Sequence, residues 1–198
     1  MPIAFGASAV AVAALTAAGP GKKLDQRMYR LMNANHGAGA DALFKGITEL
    51  GSIAASGTAA AVLARLGRRR EGMQALGAAA AMWALGQVAK KALLRPRPYQ
   101  ALGDVRLLVH EPKGTSWPSS HPAVLLAFVT VAGRRLGLPL GARAGLGALA
   151  GAVAISRVYV GVHFPSDVVG GLLLGKGVAD LWSLLSSSGP ITPATVRS

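Results

Sequence analysis

The chain contains no cysteine, so neither a disulfide framework nor a thiolate metal site is open to it. Aromatic residues make up only 5%. With so few, and with no basic sheet pattern carrying them, the composition argues against nucleic acid as a partner. Acidic residues are scarce too: 8 Asp and Glu stand against 21 Lys and Arg, for a net charge of +13. That surplus fits apolar spans whose basic flanks meet anionic lipid headgroups. The first apolar run lacks the basic stretch that precedes the core of a secretory signal peptide, so residues 1–18 are expected to stay as a first span.

What the chain has in quantity is small and aliphatic residues. The hydrophobic fraction is 52%, mean hydropathy is +0.42, and there are 26 glycines. The apolar residues fall in long runs, which marks an integral membrane protein. After the first run, Gly19, Pro20 and Gly21 break the helix. In the mixed stretch 22–45, Leu24, Met28, Leu31 and Met32 recur at helical spacing with Lys23, Arg27 and Arg30 between them, the pattern of an interfacial amphipathic helix. His36 reads as a solvated loop histidine. Further spans are expected at 47–66, at 73–94 with Trp83 serving packing rather than function, from about 119 to 133–135, at 142–160 and at 165–185. Gly147 with Gly151, and Gly171 with Gly175, have the spacing that lets helices pack closely. The fold class is therefore all-α: a polytopic membrane helical bundle of about six transmembrane helices plus an interfacial amphipathic helix. No internal repeat and no second domain are present. Residues 1–187 read as one transmembrane domain with a motif-bearing core over 45–187, and 188–198 as a disordered tail.

Three polar clusters interrupt the apolar pattern: Lys90 to Pro98, Pro118 to His121, and Ser156 to Asp167. If the spans alternate across the bilayer, all three fall on one face. Arg68, Arg69, Arg70, Arg134, Arg135 and Arg143 fall on the other. Charged groups at the rim of an apolar segment are costly without a partner or a task. Lys90 and Arg97 are two helical turns apart and share a face, and Pro96 and Pro98 then end or distort the helix. Ser119 suits an N-cap, which leaves backbone N–H groups pointing at an anion. Pro165 suits a first helical turn that carries Asp167, with His163 just before it.

Lys90, Arg97 and Arg157, with Ser119, Ser120 and the helix-end amides, can hold a doubly charged tetrahedral oxyanion. A histidine oriented by a carboxylate can act as nucleophile, and a second histidine can protonate the leaving oxygen. The same residues leave a rival open, a His-His-Asp metal site built from His121, His163 and Asp167, although three nearby cations would repel a divalent ion.

These motifs resemble the type-2 phosphatidic acid phosphatase superfamily, the lipid phosphate phosphatases related to vanadium haloperoxidases and bacterial acid phosphatases. K-x6-R-P stands as Lys90 through Arg97 and Pro98. P-S-G-H stands as Pro118, Ser119, Ser120 and His121, with serine where glycine is usual. S-R-x5-H-x3-D stands as Ser156, Arg157, His163 and Asp167. The resemblance covers roughly residues 45–187. It implies a phosphohistidine on His163, charge support from Asp167, and His121 as acid and then base. It also implies phosphate binding by Lys90, Arg97, Arg157, Ser119 and the amides near Ser120, without metal or other cofactor. Lys91, Arg95 and Tyr99 are candidate headgroup contacts.

The implied substrate is a membrane lipid phosphate entering from the bilayer: phosphatidate, phosphatidylglycerol phosphate or a polyprenyl (di)phosphate, with polyprenyl-linked phosphosugars as a further class. The loop with Arg106, His110 and Lys113 would choose the headgroup. The implied location is a multi-pass cell-membrane protein with its site on the extracytoplasmic face. Two other classes fit less well. A vanadate haloperoxidase would use the same anion pocket but is generally soluble and larger, and a non-enzymatic lipid-binding bundle would not need His163 beside Asp167.

Overall fold

Glycine and proline set the corners of this chain, and the corners set the site. The computed structural model describes residues 2–187, so the tail expected at 188–198 lies outside the described residues. Among them every regular element is helical: α1 (Pro2–Leu15), α2 (Gly19–Met32), α3 (Ala38–Glu49), α4 (Ile53–Arg65), α5 (Arg69–Leu93), α6 (Pro98–Ala101), α7 (Ser120–Arg135), α8 (Leu140–Tyr159) and α9 (Pro165–Ser187).

The first run is shorter than the sequence suggested. α1 has 14 residues, about 21 Å of helix against a hydrocarbon core of about 30 Å. The chain then bends by 92° into α2. Gly19 holds the corner at φ +60, and a Cβ on Gly21 would run into the carbonyl of Leu15. Pro20 adds the fixed φ that suits a first helical turn.

The run at 47–66 is likewise two helices rather than one. α3 and α4 meet at 64°, with Ser52 capping α4 by accepting from the Ala55 amide at 3.0 Å. The break serves packing, because a Cβ on Gly51 would stand 2.7 Å from the His121 side chain. Among the described residues one helix, α9, is long and apolar enough to cross a membrane by itself, over Pro165–Ser186, or up to three spans if each bent pair counts as one.

The core forms around α7, whose Ala, Val, Leu and Phe positions are buried nearly all round. α7 packs against α5, α8 and α9; α4 lies on α5, α3 on α8 and α1 on α9. Gly171 and Gly175 face the carbonyls of Ser119 and Ala123 so closely that a Cβ at either would collide with backbone, as the small-residue spacing predicts. Gly147 and Gly151 have the same spacing but meet nothing within 4 Å. α2 has a reversed pattern. Leu24 and Leu31 are each 61% exposed, while Asp25 and Tyr29 are buried. Leu24 and Leu31 thus face outward, as suits lipid, beside the exposed Lys23, Arg27 and Arg30, while Asp25 and Tyr29 face the protein.

Candidate active site

Four helix ends converge. At the end of α5, Leu94 adopts the left-handed conformation at φ 45, rarely taken by a residue with a side chain. That turn sends the chain back over the bundle, so that Arg97 becomes the N-cap of α6 with its amide bonded to the Gln100 side chain at 2.8 Å. Ser119 N donates to Asp167 O at 3.0 Å, tying the start of α7 to the first turn of α9. Gly161, at φ +93 and hard against the Arg106 carbonyl, turns the chain from α8 toward His163.

The ends enclose a cavity of about 240 Å³ lined by Lys90, Arg97, Ser120, His121, Arg157 and His163, with Gly51, Ser52, Trp83, Gln87 and Lys113 among the other walls. Among the described residues no acidic side chain lines it. The three motifs thus meet, and the bent α3–α4 pair supplies a wall that the motifs do not mention. Trp83, expected to serve packing rather than function, is part of that wall and is half-exposed.

Both arginines are anchored. Arg97 donates from Nε to the Gly114 carbonyl and from Nη1 to the Val162 carbonyl, both at 3.0 Å. Arg157 donates from Nη1 to Thr48 Oγ1 at 2.9 Å. Arg157 Nε, Ser119 Oγ and Ser120 Oγ are buried without a protein partner, which is unusual for buried polar atoms. Ser119 itself is fully buried just behind the cavity wall. Ser120 Oγ points at α5, 3.1 Å from where a Cβ on Gly86 would stand.

His163 sits between the two halves of the site. Its Nε2 lies 3.4 Å from Arg97 Nη1, facing the cations. Its Nδ1 lies 3.6 Å from Asp167 Oδ2, beyond hydrogen-bond range. Burial, then Arg157, Arg97 and Lys90, hold His163 well below its ordinary value, so the ring is neutral. Asp167 Oδ2 accepts from the Phe164 amide at 2.8 Å and from Ser116 Oγ. Its Oδ1 accepts from Arg95 Nη1 at 2.6 Å.

Two expectations change here. Arg95 does not face a headgroup: it is turned inward between Asp25 and Asp167, because two buried carboxylates attract it more strongly than the rim does. Tyr99 donates its hydroxyl to the Pro112 carbonyl at 2.8 Å and so pins the 95–117 loop rather than lining the cavity. Lys91 is exposed and lies outside the cavity wall, one position round the helix from Lys90. The His-His-Asp alternative also fails geometrically. Both Asp167 oxygens are engaged, and among the described residues no group of three His, Asp or Glu side chains gathers as metal ligands.

Sequence reasoning missed Thr48, Ser52, Gln87, Ser116, Ser166 and Asp25. Gln87 carried a signal, standing one turn before Lys90 on the same face. Ser166 and Ser116 stand beside motif residues in sequence but match no motif position, and Thr48, Ser52 and Asp25 belong to segments that only folding brings near the motifs.

A family model described as PAP2 superfamily matches residues 71–187. Undecaprenyl-diphosphatase of Sulfolobus acidocaldarius is 33% identical over 112 residues, 54% of this chain and 51% of that protein. Decaprenylphosphoryl-5-phosphoribose phosphatase of Mycobacterium tuberculosis is 35% identical over 111 residues, 56% of this chain and 59% of that protein. The chain thus spans a little over half the length of these curated relatives. Among solved structures, Aquifex aeolicus LpxE superposes with a TM-score of 0.74 at 28% identity, covering 81% of this chain and 95% of that one. A transmembrane PAP2-type phosphatidylglycerolphosphate phosphatase from Bacillus subtilis superposes with a TM-score of 0.77 at 23% identity, covering 96% and 98%. The second likeness is one of fold.

Proposed function

The chain belongs to the PAP2 superfamily, and we propose that it is a multi-pass membrane phosphatase that removes phosphate from a lipid phosphomonoester or diphosphate through a phosphohistidine on His163. The observation that carries this reading is the cavity itself. It gathers three cations, of which Arg97 and Arg157 are buried, with two histidines and a helix N-terminus, and no acidic residue among the described ones lines it. Like charges so placed in a poorly solvated site suit a dianion.

In this reading the phosphate oxygens lie against Lys90, Arg97 and Arg157. Arg157 Nε, Ser120 Oγ and the first amides of α7 take up the remaining lone pairs. His163 Nε2, neutral and facing the cations, attacks phosphorus as the bond to the leaving oxygen breaks. His121 gives that oxygen a proton. Asp167 stabilises the charge left on the His163 ring, and closing the 3.6 Å gap to Nδ1 accompanies the step. Water activated by His121 then cleaves the nitrogen–phosphorus bond and restores His163.

Residues 1–187 act as one phosphatase domain, since α1 packs on α9 and α2 reaches the site through Asp25. Arg68 to Arg70, Arg134, Arg135 and Arg143 occupy helix ends remote from the cavity. By the positive-inside rule this supports an extracytoplasmic site.

Among lipid phosphates, a polyprenyl carrier is favoured by the relatives named undecaprenyl-diphosphatase and decaprenylphosphoryl-5-phosphoribose phosphatase. A polyprenyl-linked phosphosugar remains the second reading on the same ground. The test is phosphate release, with EDTA present, from phosphatidate, phosphatidylglycerol phosphate, polyprenyl diphosphate and a polyprenyl phosphosugar, with His163→Ala as the blank. Release by the wild type alone from a polyprenyl substrate is expected. Equal turnover in His163→Ala would overturn the mechanism, and loss in EDTA restored by a divalent ion would replace it with a metal-assisted one.

A further inference from the structure

Asp25 is a single acidic residue in a strongly basic helix, yet only 3% of its side-chain surface is exposed. Its Oδ1 accepts from the Ser166 amide at 2.9 Å, and its Oδ2 accepts from Ser166 Oγ at 2.5 Å. It thereby caps, from another helix, the first turn of α9, which carries Asp167. Arg95 closes the arrangement. Its Nη2 meets Asp25 Oδ2 at 2.6 Å, while Nη1 meets Asp167 Oδ1 at 2.6 Å and Ser166 Oγ at 2.7 Å. The guanidinium lies over the Phe164 ring, 4.7 Å from its centroid, and the side chain is 18% exposed. None of these groups lines the cavity that holds Lys90 and His121.

We propose that Arg95 and Asp25 are positioning residues for the reaction, a charge-balanced clamp that fixes Asp167 and through it the His163 ring; this rests on the function proposed above. With Oδ1 held by Arg95, Oδ2 is the oxygen turned to His163 Nδ1. A fixed carboxylate selects the ring tautomer that protonates Nδ1 and leaves the Nε2 lone pair free. Asp25 balances the guanidinium, so that Arg95 orients Asp167 without cancelling the negative charge that supports a forming imidazolium. Arginine suits the task because its planar fork serves two carboxylates at once, which an ammonium point charge does not.

Two readouts test this, one of which needs no turnover. The first is phosphate release from dioctanoyl phosphatidate and farnesyl diphosphate in detergent by wild type, Arg95→Gln, Arg95→Lys, Asp25→Asn and, as a control on an exposed ion pair, Arg30→Gln. The second is the imidazole ¹⁵N spectrum, with the His163 signals assigned by their loss in His163→Ala. Arg95→Gln is expected to lower kcat by about 10- to 100-fold with KM nearly unchanged, the rate equivalent of losing one charge-assisted bond to a buried carboxylate. Arg95→Lys should recover part of that loss. Asp25→Asn should cost on the order of threefold, and Arg30→Gln nothing. In Arg95→Gln the His163 nitrogens should move toward a mixture of tautomers.

Wild-type kcat and an unshifted ring in Arg95→Gln would overturn the inference, as would a rise in KM alone. If Arg95→Gln does not fold, Asp25→Asn decides in its place: there, an unchanged kcat and ring spectrum overturn it. Silence of the wild type on both substrates counts against the proposed function, while the ring spectrum still decides the clamp.

Discussion

Gly171 lies one turn past Asp167 on α9 and faces the Ser119 carbonyl. A Cβ there would stand well inside the 3.0 Å limit that real Cβ atoms respect, against backbone that cannot swing aside. In Gly171→Ala, α9 must therefore retreat from the start of α7 by on the order of half an ångström or more. That retreat stretches the 3.0 Å bond from Ser119 N to Asp167 O and shifts Asp167 and His163 relative to His121. Misplacement of reacting groups on the order of an ångström costs about 100-fold, so kcat should fall by about 10- to 100-fold. Gly175 provides the control. It approaches the Ala123 carbonyl as closely but lies a turn further from the site. Both substitutions overpack one interface and should each cost about 1–3 kcal/mol of stability, yet only Gly171→Ala moves the dyad. The assay is phosphate release from a lipid phosphate that the wild type turns over, with thermal unfolding recorded in the same detergent. Wild-type kcat in Gly171→Ala, or equal kcat losses in two equally destabilised variants, would refute the reasoning.

Thr48→Val removes the acceptor that anchors Arg157 at 2.9 Å while keeping the side-chain shape. It should raise KM about tenfold with a smaller effect on kcat, measured by steady-state phosphate release. Gly86→Ala should press on Ser120 Oγ and lower kcat/KM by about three- to tenfold. The double variant with Ser120→Gly should return to the level of Ser120→Gly alone, and a double-mutant cycle showing simple additivity would contradict that coupling. For pH, the His163 value is lowered by folding, so below about 6.5 the unfolded chain binds a proton that the folded one refuses. The part of stability that His163 carries should therefore fall as pH drops from 6.5, by at most about 1.4 kcal/mol per pH unit. Thermal unfolding between pH 7 and 5 should show a shallower dependence in His163→Gln.

The motif residues were legible because each advertises itself locally. Lys90 and Arg97 share a helix face, Ser119 precedes an apolar run, and Asp167 follows a proline at a helix start. The small-residue seam at Gly171 and Gly175 was legible for the same reason. What the sequence concealed depended on angles between helices. Residues 47–66 look like one span, and only the 64° bend shows Gly51 pressed against His121. Thr48 has no pattern of its own; its role arises because Arg157 arrives from 109 residues away. Gly147 and Gly151 show the converse, since the spacing of Gly171 and Gly175 recurs there without a partner helix.

Arg95 and Asp25 show why local pattern fails at a site like this one. In sequence Arg95 stands between two motif positions and reads as one more basic residue at a membrane rim, and Asp25 reads as a stray acid on a basic interfacial helix. Each reading is reasonable while the residue is considered alone. A rim arginine is best placed in water, but that option loses once two buried carboxylates lie within reach, because an unpaired carboxylate in the interior costs far more than an ordered guanidinium. The αL turn at Leu94 takes Arg95 inward, and the 92° corner at Gly19 brings Asp25 to meet it. The cavity follows the opposite rule, with Lys90, Arg97 and Arg157 gathered against no acidic wall among the described residues. Positive charge is thus balanced by protein behind His163 and left to the ligand in front of it, and the histidine ring forms the boundary between the two.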